Sequence, residues 1–190
     1  MKEKSRTGEK VLAILHKNGG EKIMIKGIDD GYNVLAVVRD KYRKIKSAVK
    51  GKNIVTNDGD LFYAEMAAGE SPTNSFANCF LGTATAAEAK DDDWSDLTFI
   101  TDSEKAPTAT YPMTDDQDAD NTGAETDSVT YKYEWTAGDF NDAAIACGAI
   151  AVAAASGTDP ILTRFKFAAA FEKTASDTLT LYVNHNFLGV

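Results

Sequence analysis

The sequence predicts a mainly β protein: an antiparallel β-sandwich or jelly roll with one short helix and an N-terminal β-hairpin module. Period-two runs are the first reason. Val129, Tyr131, Tyr133 and Trp135 alternate with Thr130, Lys132 and Glu134; Phe165 and Phe167 alternate with Arg164 and Lys166; Leu179, Leu181 and Val183 alternate with Thr178, Thr180 and Tyr182. Each such run buries one face of a strand and solvates the other. The second reason is punctuation, because clusters of Gly, Pro, Asp and Asn separate the runs as turns require. The third is that only one stretch, Asp60 to Ala68, carries both start and stop signals of a helix.

Taken in order, Met1 to Arg6 reads as a tail. Val11 to Leu15 and Lys22 to Lys26 form two short strands around the glycine turn Lys17 to Gly20. Val34 to Val38 and Lys44 to Val49 form a second pair, joined by the charged connection Arg39 to Arg43. Asn57, Asp58 and Gly59 can turn and cap, Gly69 can end the helix, and Leu61, Tyr63, Ala64, Ala67 and Ala68 are expected on its buried face. Pro72 follows, and Phe76 to Leu81 resumes as a strand. Residues 84–128 are polar and loop-like, with one short strand expected at Leu97 to Thr101. Ile145 to Val152 is a near-continuous run of small apolar residues, which suits a strand covered on both faces. The alanine content of 143–155 makes a helix its rival there.

The chain has 190 residues, 43% of them hydrophobic, enough to bury a core and too many for a wholly disordered chain. Its longest apolar run, Ala143 to Ala155, falls short of the roughly 20 residues that span a bilayer, so no membrane partner is expected. The apolar stretch after the basic start, Val11 to Leu15, is too short for a secretory signal and has no small-residue cleavage site behind it, so secretion by that route is not expected. The net charge of −9 hides a split. Residues 1–52 hold 14 Lys and Arg against 6 Asp and Glu, whereas residues 53–190 hold 6 against 23. That asymmetry marks a basic anchoring module at 1–52 and an acidic β-sandwich domain at 53–190.

Catalytic motifs are missing from the sequence: it has no H-E-x-x-H, no G-x-S-x-G, no phosphate-binding glycine-lysine loop and no G-x-G-x-x-G. The two histidines, His16 and His185, read as strand or surface residues, and no enzyme is expected. Cys79 and Cys147 read as two buried thiols, with a single bridge between them as the alternative. Asp116, Asp118 and Asp120 alternate, and Asp127 stands twelfth from Asp116, a pattern suited to calcium. Against calcium, the sixth position is Asn121 rather than glycine and the twelfth is Asp rather than Glu, so a plain acidic turn is preferred and no cofactor is expected. Lys41, Arg43, Lys44, Lys46, Lys50 and Lys52 lie close together with Tyr42 among them. Nucleic acid ranks below protein as their partner, because the rest of the chain would repel a phosphate backbone. Trp94 and Tyr111 are the candidate platforms for a glycan, Trp135 being assigned to the core by strand parity.

From Asn53 onward the order of several short motifs carries a resemblance. They are Asn53 to Gly59 before the helix, Phe80 to Thr85, Val129 to Tyr131, Phe140-Asn141 with Ile145 to Ala149, and Ile161 to Phe165 through Phe171 to Leu181. In that order they resemble a family of tailed-bacteriophage virion proteins, mostly tail-fibre or minor structural components. Cys147 departs from the glutamate usual in its segment, and the acidic stretch at 115–127 is long. The resemblance implies a β-sandwich without a catalytic residue that assembles on the virion in the host cytoplasm. It implies either a head decoration (cement) protein bound to the major capsid protein or a tail appendage that binds a receptor or glycan, in either case oligomeric, with a trimer as one form. Chain length and the lack of internal repeats favour decoration over a fibre.

Overall fold

The computed structural model describes residues 32–114 and 128–186, together with the backbone of two strands, β1 (Val11–Ile14) and β2 (Ile23–Lys26). β1 and β2 pair antiparallel, Leu12 opposite Ile25, as a two-stranded sheet of their own. The remaining strands are β3 (Val34–Arg39), β4 (Ile45–Val55), β5 (Asn78–Gly82), β6 (Ser128–Trp135), β7 (Asp142–Ala151), β8 (Ile161–Lys173) and β9 (Thr178–Asn186). They form one antiparallel seven-stranded sheet in the order β5-β7-β8-β4-β3-β9-β6. The fold is therefore mainly β with one helix, as the periodicity predicts, and its layers arise from a single curled sheet.

Curling brings the two outermost strands over one core. Cys79 and Leu81 of β5 and Tyr131, Tyr133 and Trp135 of β6 share a buried cluster with Val34, Val38, Phe165, Phe167 and Leu181. The edges are then covered by residues 98–113. Lys105 exchanges backbone hydrogen bonds with Cys79 on β5, and Met113 exchanges them with Thr130 on β6. The Tyr133 hydroxyl donates to the Ala77 carbonyl, and the Trp135 indole N–H donates to the Ser103 carbonyl, both at 2.9 Å. This strap stands where a strand at Leu97 to Thr101 is expected, but Phe99 makes only an isolated bridge, to Gly82. Covered edges do not invite another chain to add a strand.

β7 is a strand, not the rival helix, and its small residues have a physical cause. Phe80, Ala149, Ala151, Ala155 and Ile161 pack beneath Trp94, Leu97 and Phe99 on the outer face, so β7 is enclosed from both sides. At Gly148 a Cβ would lie 2.4 Å from the Phe165 ring and 2.5 Å from the Phe80 carbonyl oxygen. Only glycine admits that approach.

The helix α1 (Asn57–Ala68) is capped by Thr56, whose hydroxyl accepts from the Gly59 N–H at 3.1 Å and donates to the Ile161 carbonyl. Gly69 closes it in the left-handed conformation, φ 74°. The buried face differs from the expected one: Gly59, Phe62 and Tyr63 turn inward, whereas Leu61 is half exposed and Ala64, Ala67 and Ala68 are exposed. Phe62 meets Phe76 edge to face at 5.6 Å, and that aromatic contact sets the helix's rotation.

The boundary expected at residue 52 is not a structural boundary. It falls inside β4, which runs unbroken to Val55 and pairs with β3 on one side and β8 on the other. Charge changes sign there because the β3–β4 turn and the outer face of β4 carry the lysines, while β3 is buried on both faces and its Val34, Ala36 and Val38 belong to the common core.

Candidate partner-binding surface

The basic segment becomes the β3–β4 hairpin, and its turn is built by one residue. The Asp40 carboxylate accepts from the backbone N–H of Tyr42 at 2.8 Å and of Lys44 at 2.9 Å. The Asp40 N–H donates to the Lys44 carbonyl, and the Arg43 N–H donates to the Asp40 carbonyl. Arg43 takes the left-handed conformation, φ 65°, that closes the turn. The turn is rigid for these reasons, and it presents Lys41, Tyr42, Arg43 and Lys44 to solvent. Tyr42 is 72% exposed, the most open large apolar side chain described, and the Lys41 ammonium lies 5.0 Å from its ring centre. Lys41, Arg43 and Lys44 have no carboxylate partner among the described residues.

The six predicted anchor residues separate into three settings. Lys41, Arg43 and Lys44 make the tip. Lys46 is engaged within the molecule, 2.6 Å from Asp177 at the β8–β9 turn. Lys50 and Lys52 lie along β4 over the Tyr32 ring, 5.8 and 5.3 Å from its centre. A shallow cleft of about 400 Å³, lined by Asp40, Lys41, Tyr42, Lys46, Ser176 and Asp177, joins the tip to the β8–β9 turn.

Below the tip, buried charges hold the turns in place. Lys173 is fully buried; its ammonium donates to the Phe140 carbonyl at 2.7 Å and sits 4.9 Å from the Phe140 ring centre. Burial lowers its pKa, and Asp139 and Asp177 offset only part of that. The Asp139 carboxyl is held below its usual range chiefly by Lys105, 2.7 Å away. Burial raises the Asp177 carboxyl, but Lys46 and the Thr174 donors outweigh it and leave the pKa lowered. Together these groups fix the β6–β7 and β8–β9 turns beside the hairpin.

The other candidates lie elsewhere. Trp94 stacks on Phe99, ring centres 3.8 Å apart, and meets Phe80 edge on at 4.6 Å, so one of its faces is already occupied. Tyr111, before a cis peptide to Pro112, is half buried with Lys132 5.9 Å from its ring centre. Trp94 thus precedes the strap and packs on β5 with Phe99, whereas Tyr111 lies near the strap's far end beside Lys132 of β6. Asp116, Asp118, Asp120 and Asp127 lie outside the described residues, and among the described residues no group of three or more His, Cys, Asp and Glu is placed to hold a metal. Cys79 and Cys147 are both free thiols, their pKa values raised by burial.

His185 is buried, with Nδ1 2.5 Å from the Tyr63 hydroxyl, which lies 3.2 Å from the Tyr131 hydroxyl. Burial drives its pKa down to about 3, so the ring is neutral at physiological pH. His16 falls outside the described residues.

Sequence reasoning missed Asp40, Tyr32 and the buried pair Arg164–Asp92. The first was findable, because an aspartate opening a short charged connection is an Asx-turn signal. Arg164 was not, since its alternation with Phe165 reads as a solvated face, whereas loop 84–92 folds over it. Comparison of the chain with family models, curated proteins and solved structures found no match, so the functional reading rests on the residues themselves.

Proposed function

We propose that this chain is a non-enzymatic structural component of a tailed-bacteriophage virion, a head decoration protein that grips an acidic surface of the major capsid protein. The single observation that carries the reading is the hairpin tip. It sets three cations without a carboxylate partner among the described residues, and one open tyrosine, on a turn whose backbone is tied by Asp40. Arginine and tyrosine are the side chains that dominate binding at protein interfaces, and a rigid turn loses little entropy on docking. The motif order over residues 53–190 supplies the virion context. An acidic body behind a basic tip also orients the approach, because the body is repelled by the acidic surface that attracts the tip.

The test is to mix the purified full-length protein with heads that lack it and to pellet the particles at low and at high salt. Co-sedimentation that weakens with salt is expected, because exposed charges are screened. Absence from the head pellet overturns the decoration reading and puts a tail appendage in its place.

A further inference from the structure

We propose that the aromatic cleft beside Trp94 receives the basic hairpin tip of a second copy, so that the protein associates head to tail. The cleft, about 520 Å³, lies at the strap outside β5; its floor is Phe80, Trp94 and Phe99, and its rim carries Asp102 and Glu104. Aromatic faces attract cations through their ring quadrupole, and carboxylates at the rim reinforce that preference. Such a cleft suits a lysine or arginine side chain. The rim is also fixed in advance: Glu104 accepts from the Asn78 amide at 2.7 Å and from the Ala154 N–H at 2.9 Å. Asp102 and Ala154, both non-glycine, are held at φ 61° and φ 52° on either side of it. Left-handed residues that persist at one place signal a shape maintained against strain. The Asp102 carboxylate is exposed and has no cation partner among the described residues.

The occupant follows from charge complementarity within the chain. Lys41, Arg43 and Lys44 have no carboxylate partner among the described residues, and with Tyr42 among them they offer the cleft both charge and an aromatic ring. Within one sheet β7 and β8 separate β5 from β4, which places the tip's strand roughly 14 Å from the cleft's strand at the usual spacing. The tip thus meets a neighbour's cleft and not its own. A contact between two different patches is heterologous, and it builds rings or open rows according to the rotation between copies.

The same tip serves head docking in the proposed function, so the test must separate the two. Sedimentation equilibrium of the full-length protein over a range of concentrations is compared for three forms: the native chain, Asp102→Lys, and the triple variant Lys41→Glu, Arg43→Glu, Lys44→Glu. The altered side chains are exposed, and a thermal melt verifies that each variant is folded. The native chain should self-associate, less at high salt, and each variant should associate roughly tenfold more weakly or worse. An equimolar mixture of the two variants should recover association, because the intact basic tip of Asp102→Lys meets the native cleft of the triple variant, and the acidic tip of the triple variant meets the lysine of the other's cleft. A native chain that stays monomeric, association indifferent to both variants, or a mixture that does not recover would each overturn the pairing. Asp102→Lys leaves the tip intact, so its sedimentation with heads tests the docking reading independently.

Discussion

His185 and Arg164 are the residues whose environments make the sharpest demands. Burial lowers the His185 pKa to about 3, against about 6.5 in an unfolded chain. A group depressed in this way contributes its full stability above pH 6.5 and loses it as the pH falls, because the unfolded chain binds the proton first. Unfolding free energy should therefore decline between about pH 6.5 and 4 by up to roughly 1.4 kcal/mol per pH unit. Lowered carboxylates such as Asp139 and Asp177 lose their contribution only near and below their ordinary range, so the upper part of the decline belongs to His185. Denaturant titrations across that window should show the slope in the native chain and a flatter one in His185→Gln. Arg164 makes a different demand. Its guanidinium is buried, donates to Asp92 at 2.7 Å and to the Ala86 carbonyl at 3.2 Å, and so clasps loop 84–92 onto β8. Arg164→Ala should cost about 3–5 kcal/mol, because it leaves Asp92 buried without its partner. Replacing both with leucine should cost far less than the sum of the single changes, a comparison that chemical denaturation makes directly.

Strands and turns show which part of the fold the sequence makes legible. Alternating runs announce β6, β8 and β9 because large apolar side chains recur at every second position, although Thr130, Arg164 and Tyr182 between them are buried too, and Thr56 to Gly69 announces α1 because caps are local chemistry. The strap was not legible. Residues 98–113 meet β5 and β6 through a few backbone bonds spread over an irregular path, which leaves no period in the side chains. β7 was legible only as small and apolar, since enclosure from both faces erases alternation. Its cause can be tested at Gly148, where alanine must push against Phe165 and the Phe80 carbonyl. Gly148→Ala should destabilise by about 1–3 kcal/mol in equilibrium unfolding, with the secondary structure by circular dichroism unchanged. The anchor residues were legible as a cluster of charge but not as an arrangement. Nothing in the spacing of Lys46, Lys50 and Lys52 tells that Asp177 takes the first and Tyr32 the other two.

Charge and fold divide the molecule differently, and the difference can be measured. The sign of the charge changes at residue 52, yet β3 and β4 occupy the middle of the sheet, between β9 and β8. A fragment of residues 53–190 would lose Val34, Ala36 and Val38 from the core and split the sheet, leaving β8 and β9 each without one neighbour. That fragment should be unfolded by circular dichroism and calorimetry, so truncation is no test of the anchor, and point substitutions at the tip are. In the function proposed above, the tip is the gripping element, and the acidic body is turned away from the acidic surface that the tip meets. The most direct measurement is sedimentation of heads with the variant Lys41→Glu, Arg43→Glu, Lys44→Glu beside the native chain, each first shown to melt at the same temperature. The account predicts that the native chain pellets with the heads and the folded variant stays in the supernatant; equal pelleting of both would contradict it.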